Sequence, residues 1–256
     1  MPNLPSVFKS PKGGTEPVVA EQAGHLPVID LSTRARQVAF WAAVTATASN
    51  GPYVAALARY LAAGFSPPIP RMTRLLASVS VLTGAPALVV QEASLASQSQ
   101  PEIKVPARLS TVFMLIFAGP AVSTRILQLI VLGGGRADTS QLDLYEEDTL
   151  ASSVEMAAWG PCLGLALLFA SRSFAKGGLA GWARRLFALA GILAIVGGSI
   201  TLLGKLLSVS SLQTLGRFVC LPSWVILLPA AEAVTAWLLR GRGRLSEGPR
   251  ARPVSR

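Results

Sequence analysis

The chain has 256 residues, of which 51% are hydrophobic and 14% charged, and its mean hydropathy is +0.50. This composition is too apolar for an ordinary soluble domain, because such domains carry more charge and less continuous apolar sequence. The net charge is +10, but the basic residues lie mainly between and after the apolar runs, so they favour membrane topology over a nucleic-acid partner.

Apolar runs and polar connections divide the chain into segments. Residues 1–37 are rich in Pro, Gly, Glu and Lys and are predicted to form a flexible cytoplasmic tail. A helix needs about 20 apolar residues to cross a bilayer, and the predicted spans are 38–61, 72–91, 109–132, 153–171, 186–204 and 218–239. A basic tail, 240–256, closes the chain. The predicted fold class is an all-α, polytopic transmembrane helical bundle of about six spans.

The first predicted span is the weakest of the six. It is rich in Ala, Thr and Ser and is interrupted by Asn50, Gly51 and Pro52. These interruptions allow an alternative in which the segment is re-entrant and the N-terminus lies outside.

Lys and Arg in the connections predict the orientation, because positive residues are retained on the cytoplasmic side. With both termini inside, the inner segments hold 16 of these residues and the outer segments six. This arrangement predicts that the acidic loop around Asp138 to Asp148 lies outside. A plasma or inner membrane is expected because the sequence shows no targeting signal. The lipid bilayer is the predicted partner, with anionic headgroups at the C-terminal tail, although topological retention alone accounts for that tail equally well.

Prolines recur within the predicted spans. A proline lacks a backbone donor and kinks a helix, and the freed carbonyl groups can line a polar cavity. The alternative is that Gly and Pro are simply common in membrane helices. The candidate kinks are Pro52, Pro86, Pro120, Pro161 and Pro229, with Pro222 as a further interruption of the last span.

A few polar side chains fall within or at the edge of the apolar runs, where a charge is costly and is usually functional. Arg125 and Gln128 share one face of the third span, and Glu155 opens the fourth span at the same depth, so an ion pair between Arg125 and Glu155 is expected. Alternatively, Ser152 and Glu155 form a capping box. Glu232, near the inner end of the sixth span, is expected to bind a cation or proton, or to extend toward the headgroups.

Small residues mark two helix faces. Ala190, Ala194 and Gly198 share one face of the fifth span, and Gly160 and Gly164 are four residues apart in the fourth. Such faces let backbones approach closely. The pattern fits packing against another span or against another chain, so a homo-oligomer or a membrane partner is possible on this sequence.

Motifs for catalysis, metal binding and cofactors are missing from the sequence. The single histidine, His25, lies in the N-terminal tail, and Cys162 and Cys220 lie in apolar runs, which excludes a histidine metal cluster and disfavours a disulfide framework. The glycine-rich segments lack the spacing of a phosphate loop, and the acidic loop lacks that of a calcium loop. We therefore expect no enzyme activity and no cofactor.

The last span reads Pro229-Ala-Ala-Glu232, then Trp237-Leu-Leu-Arg-Gly241 after four residues. This pattern, with Arg125-Ile in the third span and Trp182-Ala-Arg-Arg before the fifth, resembles a family of uncharacterised bacterial six-helix membrane proteins. The resemblance covers residues 38 to 241, and the first span and the long N-terminal tail depart from it. It implies the helix count and no particular activity.

Two functions remain open from the sequence. The first is a multi-pass membrane protein whose polar intramembrane cavity handles a small solute or lipid. The second is a structural or regulatory membrane subunit that transports nothing and associates with partner helices. A cavity at the Gly-Pro breaks favours the first function, and a lipid-facing stripe of small residues on the fifth span favours the second.

Overall fold

A computed structural model describes residues 33–62, 70–97, 99, 101–133 and 149–245. Six long helices account for nearly all of them, and these residues include no strand. The first three helices are α1 (Thr33–Ala62), α2 (Arg71–Ser97) and α3 (Pro101–Leu132). They are followed by α4 (Leu150–Ser171) and α5 (Gly178–Leu206). The last helix, α6, consists of Ser210–Pro222, a π-helical turn Ser223–Leu227, and Leu228–Leu245. The all-α prediction is confirmed.

The helices extend beyond the apolar runs that predicted them. α1 begins at Thr33, inside the predicted tail, and α3 begins at Pro101, eight residues before its predicted span. Helical hydrogen bonding continues into the polar interface, whereas hydropathy marks only the part suited to hydrocarbon. Residues 1–32, the acidic loop and the end of the basic tail lie outside the described residues, as does any test of the lipid contacts predicted for that tail.

Each helix packs against the one before it and the one after it in the chain, and α6 also packs against α1. The six helices therefore form a closed ring of neighbours. Short connections, such as Leu207 to Val209 between α5 and α6, make consecutive helices antiparallel.

Polarity is distributed in the reverse of the soluble pattern. Large apolar side chains cover the outside, including Val79, Leu115, Ile126, Ile192 and Val196, whereas the interior holds buried Gln91, Glu92, Gln128, Arg125 and Glu232. In water such a surface would be an aggregation hazard, but in hydrocarbon it is the stable arrangement. The protein is a multi-pass membrane protein.

Five helices, α2 to α6, are long and apolar enough to cross a membrane. α1 has sufficient length at 30 residues but is not among the five. Its polar residues Ser49, Asn50 and Tyr53 line the space inside the ring. These residues lower the mean hydropathy of α1, although the helix packs between α2 and α6. A sixth crossing by α1, and the inward orientation of both termini, remain predictions.

The helices differ in how they accommodate their prolines. α1, α2 and α3 continue as α-helix through Pro52, Pro86 and Pro120. In α4, by contrast, Pro161 lies in a π-helical turn, Ala158–Cys162, and Pro229 follows the π-helical turn of α6 by two residues. The wider turn relieves the clash between a proline ring and the carbonyl group four residues earlier.

The two faces of small residues, on α4 and α5, pack against each other within the chain. An added Cβ atom at Gly160 of α4 would lie 2.7 Å from the Cα atom of Gly198 in α5, and one at Gly164 would lie 2.8 Å from the carbonyl oxygen of Gly191. The backbones of α4 and α5 thus touch where only glycine fits. Ala190 and Ala194 on the same face of α5 are fully buried.

Candidate functional site in the interior cavity

A cavity of about 550 Å³ lies inside the ring and is lined by α1, α2, α3, α4 and α6. Its walls are largely apolar, and it passes the Gly-Pro or Ala-Pro segments of α1, α2 and α4 at Asn50, Ala85 and Trp159. Four charged side chains line it: Arg125, Glu155, Arg217 and Glu232. This size lies within the range of cavities that hold small molecules.

Arg125 and Glu155 form an ion pair at one end of the cavity, which we call the Arg125 end. Their side chains are 9% and 12% exposed, so water screens the pair only weakly. The indole Nε1 of Trp159, one turn along α4, donates a second hydrogen bond of 3.2 Å to Glu155 Oε1. The carboxylate is therefore held by both a charge and a neutral donor.

The N-terminus of α4 also lies at the Arg125 end. Thr149, not Ser152, caps α4, because the Thr149 hydroxyl oxygen accepts a 3.2 Å hydrogen bond from the Ser152 backbone N–H. The alternative capping-box assignment for Ser152 and Glu155 is thus wrong, since the helix begins three residues earlier than that pattern implies. Ser152 instead lines the cavity, and its hydroxyl accepts a 2.9 Å hydrogen bond from Lys205 Nζ at the end of α5.

Gln128 lies one turn after Arg125 on α3 and is fully buried. It is not among the residues that line the cavity. Of the four polar residues selected from the sequence, three therefore face the cavity, and Gln128 lies within the helix packing beside it.

Three aromatic side chains meet in the wall of the cavity. Trp159 lies in the π-helical turn of α4 and Trp224 in that of α6, and their ring centroids are 5.0 Å apart. Phe117 of α3 meets Trp159 edge to face at 4.9 Å. All three line the cavity, so each irregular turn places one tryptophan in its wall. Single π-helical turns within α-helices occur frequently at functional sites.

Glu232 lies at the other end, which we call the Glu232 end, and is 1% exposed. Neither of its carboxylate oxygens has a hydrogen-bond partner among the described residues. The polar side chains that influence Glu232 are the carboxyl group of Glu92 and the amide of Gln91, both on α2. The Gln91 amide is a neutral donor next to Glu232, but among the described residues neither side chain makes a hydrogen bond of good geometry. Gln91 is fully buried.

Glu92 is 2% exposed and accepts a 2.7 Å hydrogen bond from the Ser110 hydroxyl of α3. Ser110 also lies 3.0 Å from the carbonyl oxygen of Ala166 in α4. This hydroxyl therefore joins three helices behind the Glu232 end, and one of the two carboxylates there is held by it.

Sequence reasoning missed several of these residues. The second span was predicted to stop at Gln91, so Glu92 fell in a connection, although Leu88 and Leu95 at helical spacing around it indicate a continuing buried face. Arg217 lies just before the predicted sixth span, and no pattern in the sequence marks Trp159 or Trp224 as functional. No single-sequence signal places the two tryptophans together, because their contact depends on how α4 and α6 pack.

The described residues do not form a metal-binding site. Within the described ranges, no group of three or more His, Cys, Asp or Glu could hold a metal ion. The cavity offers apolar and aromatic surface and, at one end, the carboxyl group of Glu232, which has no basic partner among the residues that the structure describes.

Comparison with known proteins adds no family. No protein-family model, no curated protein and no solved structure matches this chain. The resemblance to uncharacterised six-helix bacterial proteins therefore stays a prediction.

Proposed function

We propose that this membrane protein binds a small, largely apolar solute or lipid in its interior cavity and so handles that molecule within the bilayer. The observation that carries the proposal is the 550 Å³ cavity flanked by the irregular turns of α4 and α6. Broken helices facing each other around a cavity are a common way to build binding sites inside a membrane.

The chemistry of the lining supports a ligand with much apolar surface. Aromatic and aliphatic side chains from five helices form most of the wall, with a smaller number of charged and neutral polar groups among them. Binding sites for small molecules usually have this composition, with a few polar groups that fix orientation.

The alternative role as a structural subunit lacks its expected surface. The stripe of small residues on α5 would need to face lipid in order to recruit another chain. In the structure, this stripe is covered by the chain's own α4, with Gly160 against Gly198. The stripe therefore supports packing of this bundle and leaves no basis for a partner helix at that face.

Native mass spectrometry can test the proposal. The purified protein, equilibrated with a lipid and metabolite extract of its expression host, is expected to carry a bound small molecule. Ala85→Phe, which places a ring in the cavity from a site that is 3% exposed, should abolish this mass. Val79→Phe on the same helix is the matched control, because Val79 is 47% exposed on the outer face. An unliganded wild-type protein, or equal occupancy in Ala85→Phe, would contradict the proposal.

A further inference from the structure

We propose that the cavity takes an organic cation, an ammonium or similar cationic group on an apolar body, with Glu232 as its counter-ion. This inference rests on the proposed function, because it names the chemical class of the molecule that the cavity holds. The inference rests on a difference between Glu232 and the other charged residues that line the cavity, which is the lack of a partner for Glu232 among the described residues.

Glu232 is the charged cavity residue without a partner in the described part of the chain. Glu155 is paired with Arg125 and accepts a bond from Trp159, and Arg217 is only partly buried. Glu232 is 1% exposed, and among the described residues it has no basic partner and accepts no hydrogen bond of good geometry, with only the neutral Gln91 amide beside it. A buried carboxylate without a cationic partner is costly. A ligand that carries a positive charge to this position removes that cost.

The neighbours of Glu232 strengthen this preference. Its electrostatic partners are Glu92, a second carboxyl group, and the amide of Gln91, and none of these is basic. An ammonium group has donors and no acceptor, so it complements the carboxylate of Glu232, which lines the cavity.

The wall next to Glu232 suits the rest of such a molecule. Trp224, Leu228 and Glu232 lie on one side of α6 and all line the cavity. At about 1.5 Å per residue, Trp224 lies about 12 Å along the helix from Glu232. An apolar body attached to the cation would therefore contact Leu228 and reach the tryptophan pair, whose ring faces attract cations as well.

Charge also orients the ligand. Arg217 lies fifteen residues before Glu232 on the same helix, about 22 Å away, and lines the opposite end of the cavity. A cation is repelled from the Arg125 end, where Arg217 also lies, and is attracted to the Glu232 end. An anion would have the reverse orientation and would leave Glu232 without a partner.

Tritiated phenethylamine, a primary ammonium ion on an apolar ring at neutral pH, is the probe for this site. We expect saturable binding to the purified wild-type protein and a loss of about tenfold or more in affinity in Glu232→Gln. Thr235→Val is the matched control, because Thr235 is equally buried on α6 and its hydroxyl donates only to the carbonyl oxygen of Ala231. Equal affinity in wild type and Glu232→Gln overturns the inference.

Leu228→Lys provides a second variant if Glu232→Gln does not fold. It places an ammonium group one turn from Glu232 within the cavity, so it should occupy the site internally and abolish binding of the probe. Binding of the probe with wild-type affinity in this variant overturns the inference.

The same preparations separate this inference from the proposed function. If the wild type fails to bind the probe but retains the small molecule that Ala85→Phe excludes, the cation assignment is wrong and the proposed function stands. If both the probe and the small molecule are absent, both proposals are wrong.

Discussion

Each end of the cavity holds a buried glutamate, and the surroundings of the two glutamates differ. At the Arg125 end, a buried carboxylate is paired with a guanidinium and receives an indole hydrogen bond. At the Glu232 end, a more deeply buried carboxylate has no donor among the described residues and has a second carboxyl group beside it. A paired charge can hold a fold together, whereas a buried charge without a cationic partner calls for one from outside the chain, and this contrast is the basis of the ligand-binding role proposed for the second end.

The largest effect is expected from breaking the pair at the Arg125 end. Arg125→Gln leaves Glu155 with a neutral donor only and should lower the free energy of unfolding by about 3–5 kcal/mol. Unfolding in mixed micelles by added denaturing detergent measures this change. Arg240→Gln is the control, since Arg240 is exposed beyond the apolar part of α6.

The charge-swapped double variant Arg125→Glu with Glu155→Arg sharpens the result. It restores opposite charges at the same depth and should recover part of the lost stability. If the double variant is no more stable than the single variants, the pair does not hold α3 to α4.

A smaller effect is expected at the contact between α4 and α5, at the π-helical turn that carries Trp159. Gly160→Ala brings a Cβ atom to 2.7 Å from the Cα atom of Gly198, and because backbone cannot move aside as a side chain does, α4 must shift away from α5. Overpacking of this kind costs about 1–3 kcal/mol. Thermal unfolding measures it, and Gly119→Ala is the control because nothing lies within 4 Å of an added Cβ atom there. Equal stability of the two variants would show that α4 and α5 are not in backbone contact.

The smallest effect on stability is expected at the Glu232 end. Glu232→Gln removes a carboxylate that has no donor in the described structure and keeps its shape, so the melting temperature should stay the same or rise. Differential scanning fluorimetry of the ligand-free protein checks this expectation. A loss comparable to that of Arg125→Gln would mean that Glu232 holds the fold together, and the contrast between the two ends would disappear.

Much of the architecture can be predicted from the sequence, because a bilayer demands long apolar helices and the six apolar runs are visible. The depth of Arg125 and Glu155 also follows from their positions within those runs, which is why their pairing was open to prediction. Glu92 was not predicted, because hydropathy ends a span at the first polar residues, whereas α2 continues to Ser97. Its significance depends on Ser110 of another helix, and such contacts between helices leave no pattern in one sequence.

α1 illustrates a second limit. Its composition makes it the weakest of the predicted spans, and it falls outside the helices apolar enough to cross a membrane. The structure gives the physical reason, because Ser49, Asn50 and Tyr53 line the cavity. Hydropathy averages around a helix, so it cannot distinguish polar residues that face a cavity from polar residues that would face lipid.

The closure of the ring between α1 and α6 has a consequence for biosynthesis. Of the six helices, the ribosome makes α1 first and α6 last, and the polar face of α1 borders a cavity whose wall is completed beside it by α6. Until α6 enters the membrane, Ser49 and Asn50 lie beside an open side of the bundle. The polar face of α1, the least apolar of the six helices, is therefore covered only after α6 has been made. A chain that is truncated before α6 should retain α1 poorly in the membrane.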